Sequence, residues 1–183
     1  MPDLPELDRQ LAGAAERFGT PAYVYSADTV AARLAHLRDH FGRWFAVSFA
    51  VKSNPNPGLL DWMRGRLDYL DISSGGELAL ARQAGWDPGR ISFTGPAKRA
   101  PELRAAIGGG LGELVLESLR EARLADAIAA ELGVIQPVLI RIAPDSVPKG
   151  IGDQMAGRPS PFGIDVEDAA AILPQIAALP NLR

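Results

Sequence analysis

Apolar residues arrive along this chain in short runs, and the runs alternate with amphipathic stretches. Residues 4 to 18 place Leu7, Leu11 and Phe18 on roughly one side, which predicts a short helix ended by Gly19-Thr20-Pro21. Ala22-Tyr23-Val24-Tyr25 reads as a brief strand, and Ser26 or Asp28 can cap a helix over about 29–41. The run from Trp44 to Val51 is apolar or small, the pattern of a strand buried in a parallel sheet. Beyond it the pattern predicts helix over 58–64, strand over 67–72, helix over 78–85 and strand over 91–94. Helix over 101–107, strand over 113–116, helix over 119–132 and strand over 137–142 follow. A Gly/Pro-rich loop then runs to Pro161, before a last helix over 166–179 that Pro174 breaks or kinks.

From the strand that ends near Lys52, five β units alternate with helices at a spacing of roughly 20 to 45 residues, the signature of parallel βα units with right-handed crossovers. An open doubly wound sheet and part of a (β/α)₈ barrel both fit that rhythm. No Gly-x-Gly-x-x-Gly follows the first strand, which lowers a dinucleotide-binding reading. Gly108-Gly109-Gly110 follows a helix and reads as a helix exit more readily than as a phosphate cradle.

Composition narrows the function classes. A chain of 183 residues with 47% hydrophobic and 22% charged residues, and mean hydropathy of +0.02, is long enough for a domain with a real core. A net charge of −3 argues against nucleic acid or an anionic membrane as the main partner. No cysteine is present, which excludes disulfides, thiolate metal sites and cysteine catalysis. His36 and His40 lie four apart on a polar helix; a solvated face is the expectation over a metal site, because no pattern nearby supplies further ligands. No apolar run approaches a bilayer span, and the acidic start lacks the features of a signal peptide, so a cytoplasmic location is the default expectation.

Three places carry candidate chemistry. Lys52 stands at the carboxyl end of an apolar strand, where Asn54-Pro55-Asn56-Pro57 forces the chain out of the sheet. Ligands of α/β proteins sit at such strand ends, and a lysine desolvated there becomes a usable nucleophile. The plainer alternative is a lysine whose head simply reaches water. Asp71 ends its own strand, and Ser74-Gly75-Gly76-Glu77 predicts a capping box at the helix that follows. Arg141 lies near the end of the strand Leu139-Ile140-Arg141-Ile142. A site facing the strand ends and an ordinary salt bridge both explain it.

Taken together, these segments resemble a known family. Ala50-Val51-Lys52-Ser53-Asn54-Pro55 is similar to the pyridoxal-phosphate lysine motif of fold-type III decarboxylases, the diaminopimelate, ornithine and arginine decarboxylase group. Asp71-Ile72-Ser73-Ser74-Gly75-Gly76-Glu77-Leu78 resembles that family's D-x-x-S-x-G-E-L/I motif. Leu139 to Pro144 resembles its strand carrying an arginine near the cofactor ring. Ile91 to Lys98 resembles its third strand and G-x-x-K turn, which puts Lys98 near the mouth; an exposed structural lysine is the safer reading of that residue. Pro161-Phe162-Gly163-Ile164-Asp165 resembles its K-F-G-I/V-D motif, with proline in place of the lysine.

The resemblance implies an alanine-racemase-like (β/α)₈ barrel with only about the first five βα units present. Residues 1–20 would form a helical leader and 21–183 the partial barrel, without the family's C-terminal β domain. It implies pyridoxal 5′-phosphate held on Lys52 as a Schiff base, with Asp71, Glu77 and Arg141 around it. The implied reaction is release of carbon dioxide from a small amino acid. The alternatives are a racemase-like barrel, which shifts a proton with the same lysine, and a non-catalytic homologue acting as a regulator. The family's ring-stacking histidine and phosphate loop lie past Arg183, so the resemblance also implies weak cofactor binding and no useful turnover by these residues alone. The full-length family implies a homodimer, and the segment 149–157 resembles relatives acting on carrier-protein-bound amino acids.

Overall fold

The computed structural model describes residues 4–146, 157 and 160–183. Two compact units result, Met1–Val47 and Ser48–Arg183. The first holds α1 (Leu4–Phe18) and α2 (Ala27–Phe41), the latter capped by Ser26, whose hydroxyl accepts the Thr29 N–H. Residues 22–25 do not form the expected strand, and Tyr23 is almost fully exposed. A strand exists through its ladder, and no described residue pairs with this segment. His36 and His40 lie on α2, with His40 Nδ1 2.8 Å from the His36 carbonyl, and no group of metal-ligating side chains is present among the described residues.

The second unit is a parallel sheet wrapped by helices. In chain order it comprises β1 (Ser48–Ala50), α3 (Pro57–Met63), β2 (Tyr69–Ile72) and α4 (Gly75–Gln83). Then come β3 (Ile91–Phe93), α5 (Ala100–Gly108), β4 (Glu113–Leu116), α6 (Leu119–Leu132) and β5 (Val138–Ile140). A small second pair, β6 (Ile142–Ala143) with β7 (Ile164–Asp165), precedes α7 (Val166–Ala177). The main sheet runs β1-β2-β3-β4-β5, every neighbour parallel. Strictly sequential order is that of successive barrel strands; a doubly wound sheet reverses from a central strand. The fold is therefore the first five units of the expected (β/α)₈ architecture. After α7, Leu182 bridges Gln136 in parallel and the Arg183 N–H donates to the Gln136 carbonyl, so the chain returns to lie beside β5.

Period-two alternation separates the faces of the strands. Leu70 and Ile72, Ile91 and Phe93, and Leu114 and Leu116 are all essentially inaccessible. The helices meet them with buried Leu78 and Ala81, Leu103 and Ile107, and Ala122, Ala125 and Ala129. Asp71, Ser92 and Val115 occupy the opposite, half-buried face. Helix boundaries follow their caps: Asn56, Ser74 and Ser118 each accept a first-turn N–H, and Gly133 closes α6 in the left-handed conformation. The glycine triplet is the exit of α5, as expected. Pro174 lies inside α7, which continues to Ala177.

Candidate active site

All the candidate residues collect at one rim, the carboxyl ends of the parallel strands. The strand bearing Lys52 is shorter than the apolar run predicts. It stops at Ala50, and Val51–Ser53 form a 3₁₀ turn, closed by the Asn54 N–H donating to the Val51 carbonyl at 3.0 Å. The Ser53 hydroxyl donates to the Ala50 carbonyl at 2.7 Å, and Asn54 Oδ1 accepts the Asn56 N–H at 3.2 Å. These local bonds explain the Asn-Pro-Asn-Pro segment: asparagine side chains bond the turn while proline removes the donors that would extend the strand. Val51 is fully buried and its neighbour Lys52 is exposed. Lys52 is thus not shielded among apolar side chains as the sequence suggested, because the turn rotates it off the strand face.

Asp71 sits beside that turn, since Ala50 pairs with Asp71 in the ladder. Its Oδ1 accepts two hydroxyls from β3 and the residue after it, Ser92 at 3.2 Å and Thr94 at 2.5 Å. Glu77 turns back toward the strand end. Its backbone N–H donates to Ser74 Oγ at 3.2 Å, while its carboxylate accepts the Ser73 N–H at 2.8 Å. The expected box therefore forms with a shift of one residue: the glutamate holds the residue before the N-cap. Glu102 on α5 then accepts the Gly75 N–H at 2.8 Å and pairs with Arg99 at 2.9 Å. The Arg99 guanidinium, and next the Gly75 amide, hold its carboxyl below the usual carboxylate range.

The same turn recurs after β4. Ser118 Oγ accepts the Glu121 N–H at 3.2 Å, and Glu121 accepts the Glu117 N–H at 2.9 Å. Glu121 also pairs with Lys98 Nζ at 2.9 Å, the side chains being 1% and 9% exposed for lysine and glutamate. Lys98 donates to the carbonyls of Gly95 at 2.5 Å and Val115 at 2.8 Å as well. The reading of Lys98 as an exposed lysine is therefore corrected: its ammonium is buried with three acceptors, because β3 and β4 close around the turn. Burial pushes the Glu121 carboxyl above the usual range despite the opposing pull of Lys98.

Arg141 follows β5 and faces the same rim, one third exposed, with Nη1 3.3 Å from Glu117 Oε1. Its guanidinium carbon lies 5.0 Å from the Phe162 ring centroid. The two explanations left open for Arg141 are both present, a salt bridge and a place at the strand ends. The partner, Glu117, is a residue sequence reasoning missed. Its signal was the repeat itself, since Glu117-Ser118-Leu119-Arg120-Glu121 repeats Ser73-Ser74-Gly75-Gly76-Glu77, with an acid at the position whose amide the turn captures.

An exposed amine, an oriented carboxylate and a guanidinium on one rim suit a ligand that carries an aldehyde and an acidic ring substituent. Comparison with known proteins is decisive for the family. A profile described as "Pyridoxal-dependent decarboxylase, pyridoxal binding domain" matches residues 27–183. The chain belongs to this family of pyridoxal-dependent decarboxylases. It is 36% identical over 175 residues to the diaminopimelate decarboxylase of Pseudomonas aeruginosa, covering 94% of this chain and 42% of that one. The diaminopimelate decarboxylase of M. jannaschii, solved with L-lysine, superposes with a TM-score of 0.85 at 27% identity, over 94% of this chain and 42% of that one. The lysine decarboxylase of Selenomonas ruminantium gives 0.74 at 26% identity, over 96% and 43%. The chain thus spans about two fifths of the length of these relatives. No helix of the described residues is long and apolar enough to cross a membrane. The segment 149–157, bearing the carrier-protein resemblance, lies almost wholly outside the described residues.

Proposed function

We propose that this chain is the pyridoxal-phosphate-binding part of an amino-acid decarboxylase, with Lys52 as the covalent anchor. The observation that carries the reading is the exposed Lys52 on a tight turn just after β1, whose last residue, Ala50, pairs with Asp71, in a chain of this family. When bound, the cofactor supplies an electron sink for the bond broken at the substrate α-carbon. Lys52 would hold the cofactor covalently through its exposed amine. The same amine, when not holding the cofactor, would serve to move a proton at the substrate α-carbon. Asp71, fixed by the Ser92 and Thr94 hydroxyls, offers an oriented negative charge to the ring's surroundings. Glu77 braces the turn beside it through the Ser73 amide, and Arg141, paired with Glu117 at the rim, would offer its cation to an acidic oxygen of the ring.

The substrate class is a small amino acid. Diaminopimelate and lysine are the first compounds to try, since the relatives above are named for decarboxylating them. The same reading takes in a carrier-bound amino acid, supported by the resemblance of segment 149–157, and a second copy of the chain, supported by the family pattern. Titration of the chain with pyridoxal phosphate, followed by absorbance and by carbon dioxide release from carboxyl-labelled amino acids, tests it. The expected result is a shifted cofactor band that Lys52→Ala abolishes. Binding of the cofactor with the same band in Lys52→Ala would overturn the assignment.

A further inference from the structure

We propose that Glu117 is a positioning residue of the cofactor site, fixing both the Arg141 guanidinium and the Gly163 turn at the rim. The inference rests on the pyridoxal reading for its purpose, but its geometry does not. Glu117 has a side chain only 2% exposed, at the carboxyl end of β4. A carboxylate so buried needs partners for both oxygens. Oε1 accepts the Gly95 N–H at 2.9 Å and Arg141 Nη1 at 3.3 Å, and Oε2 accepts the Gly163 N–H at 3.1 Å. One side chain therefore ties together three loops that follow β3, follow β5 and enter β7. Arg141 is one third exposed, so Glu117 grips it from the buried side while the guanidinium still meets the rim.

Two further facts show that the arrangement is specific. Phe162 lies against the guanidinium, 5.0 Å away, which limits its swing from another side. Gly163 has φ +86, and a Cβ there would meet the Arg141 carbonyl oxygen at 2.9 Å and Arg141 Cγ at 3.1 Å. A side chain at 163 would therefore push the turn whose N–H Glu117 holds away from Arg141. A buried carboxylate serving the core alone has no need of a partner that is also part of the candidate site.

Glu117→Gln discriminates at the level of atoms. Its amide oxygen can keep the Gly95 and Arg141 contacts without charge, but its NH₂ then opposes the Gly163 N–H. Glu117→Asp keeps the charge on a stem one methylene shorter, and serves if the glutamine variant fails to fold. The experiment is side-chain NMR of the Arg141 guanidinium without cofactor, alongside the dissociation constant of pyridoxal phosphate and the melting temperature. The expected result is restricted, resolved Nη protons in the native chain that average on substitution by glutamine. The same substitution should weaken cofactor binding about tenfold, the loss expected for one charged hydrogen bond, and Glu117→Asp should recover part of both. A merely structural residue would lower the melting temperature and leave the guanidinium restricted, which overturns the proposal. Averaged guanidinium signals with unchanged cofactor affinity overturn it too, as does unfolding of both variants. If the native chain binds no cofactor while Arg141 still loosens on substitution, the positioning stands and the pyridoxal reading falls.

Discussion

Two neighbouring parts of the rim use charge in opposite ways. Around β4, Lys98, Glu121 and Glu117 are buried and tied to named partners, and together with Arg141 they join four strand ends. Around β1, Lys52 stands exposed on a turn held by its own backbone and by two asparagines. A buried amine with three acceptors is fixed by the fold, because removing it leaves the Glu121 carboxylate and two carbonyls buried without their partner. An exposed amine on a rigid turn is held in place while its nitrogen stays open to a reagent. Two lysines on one rim thus differ in kind, one buried and holding strands together and one exposed to solvent.

The comparison can be broken most severely from the buried side. Lys98→Ala leaves Glu121 buried without its cation, and the expected loss in urea unfolding is roughly 3–5 kcal/mol. Replacing both partners by apolar residues of similar size should recover much of it. Ser118→Ala removes the hydroxyl that accepts the Glu121 N–H, with an expected cost of about 1 kcal/mol by the same measurement.

The pH dependence sharpens the contrast further. Glu102 has a folded pKa below its unfolded value, so its stabilisation is present above roughly pH 4.3, the unfolded value, and is lost as pH falls through the folded pKa. Glu121 has a raised folded pKa, so its contribution is fully present below that unfolded value and is lost as pH rises through the folded one. Glu102→Gln should therefore flatten the acid limb of a stability-against-pH curve, an effect Glu121→Gln does not share. The smallest change expected in stability is that of Lys52→Ala, within about 0.5 kcal/mol. The same variant should lose cofactor attachment entirely.

Much of this was legible in the sequence where a local rule decides. The helix after β4 was read with its observed bounds because Ser118 with Glu121 starts it and Gly133 ends it. Lys52, Asp71 and Arg141 were placed at strand ends from apolar runs and punctuation, Glu77 in the capping box of the helix after Asp71, and the structure brings them to one rim. What failed depended on distant partners. The strand at Tyr23 needed a ladder that no described residue provides. Lys98 looked exposed because two of its three acceptors, Val115 and Glu121, are 17 and 23 residues away along the chain. Glu117 ends an apolar strand as many surface glutamates do, and only Gly95, Arg141 and Gly163 arriving from elsewhere give it a role.

The lysines of this chain are Lys52, Lys98 and Lys149, so one chemical experiment can separate them. Incubation with pyridoxal phosphate, borohydride reduction and peptide mapping should place the label on the peptide carrying Lys52, with none on Lys98. A label on Lys98 or Lys149, or one that survives Lys52→Ala, would contradict the central claim that the exposed amine at the end of β1 is the cofactor's anchor.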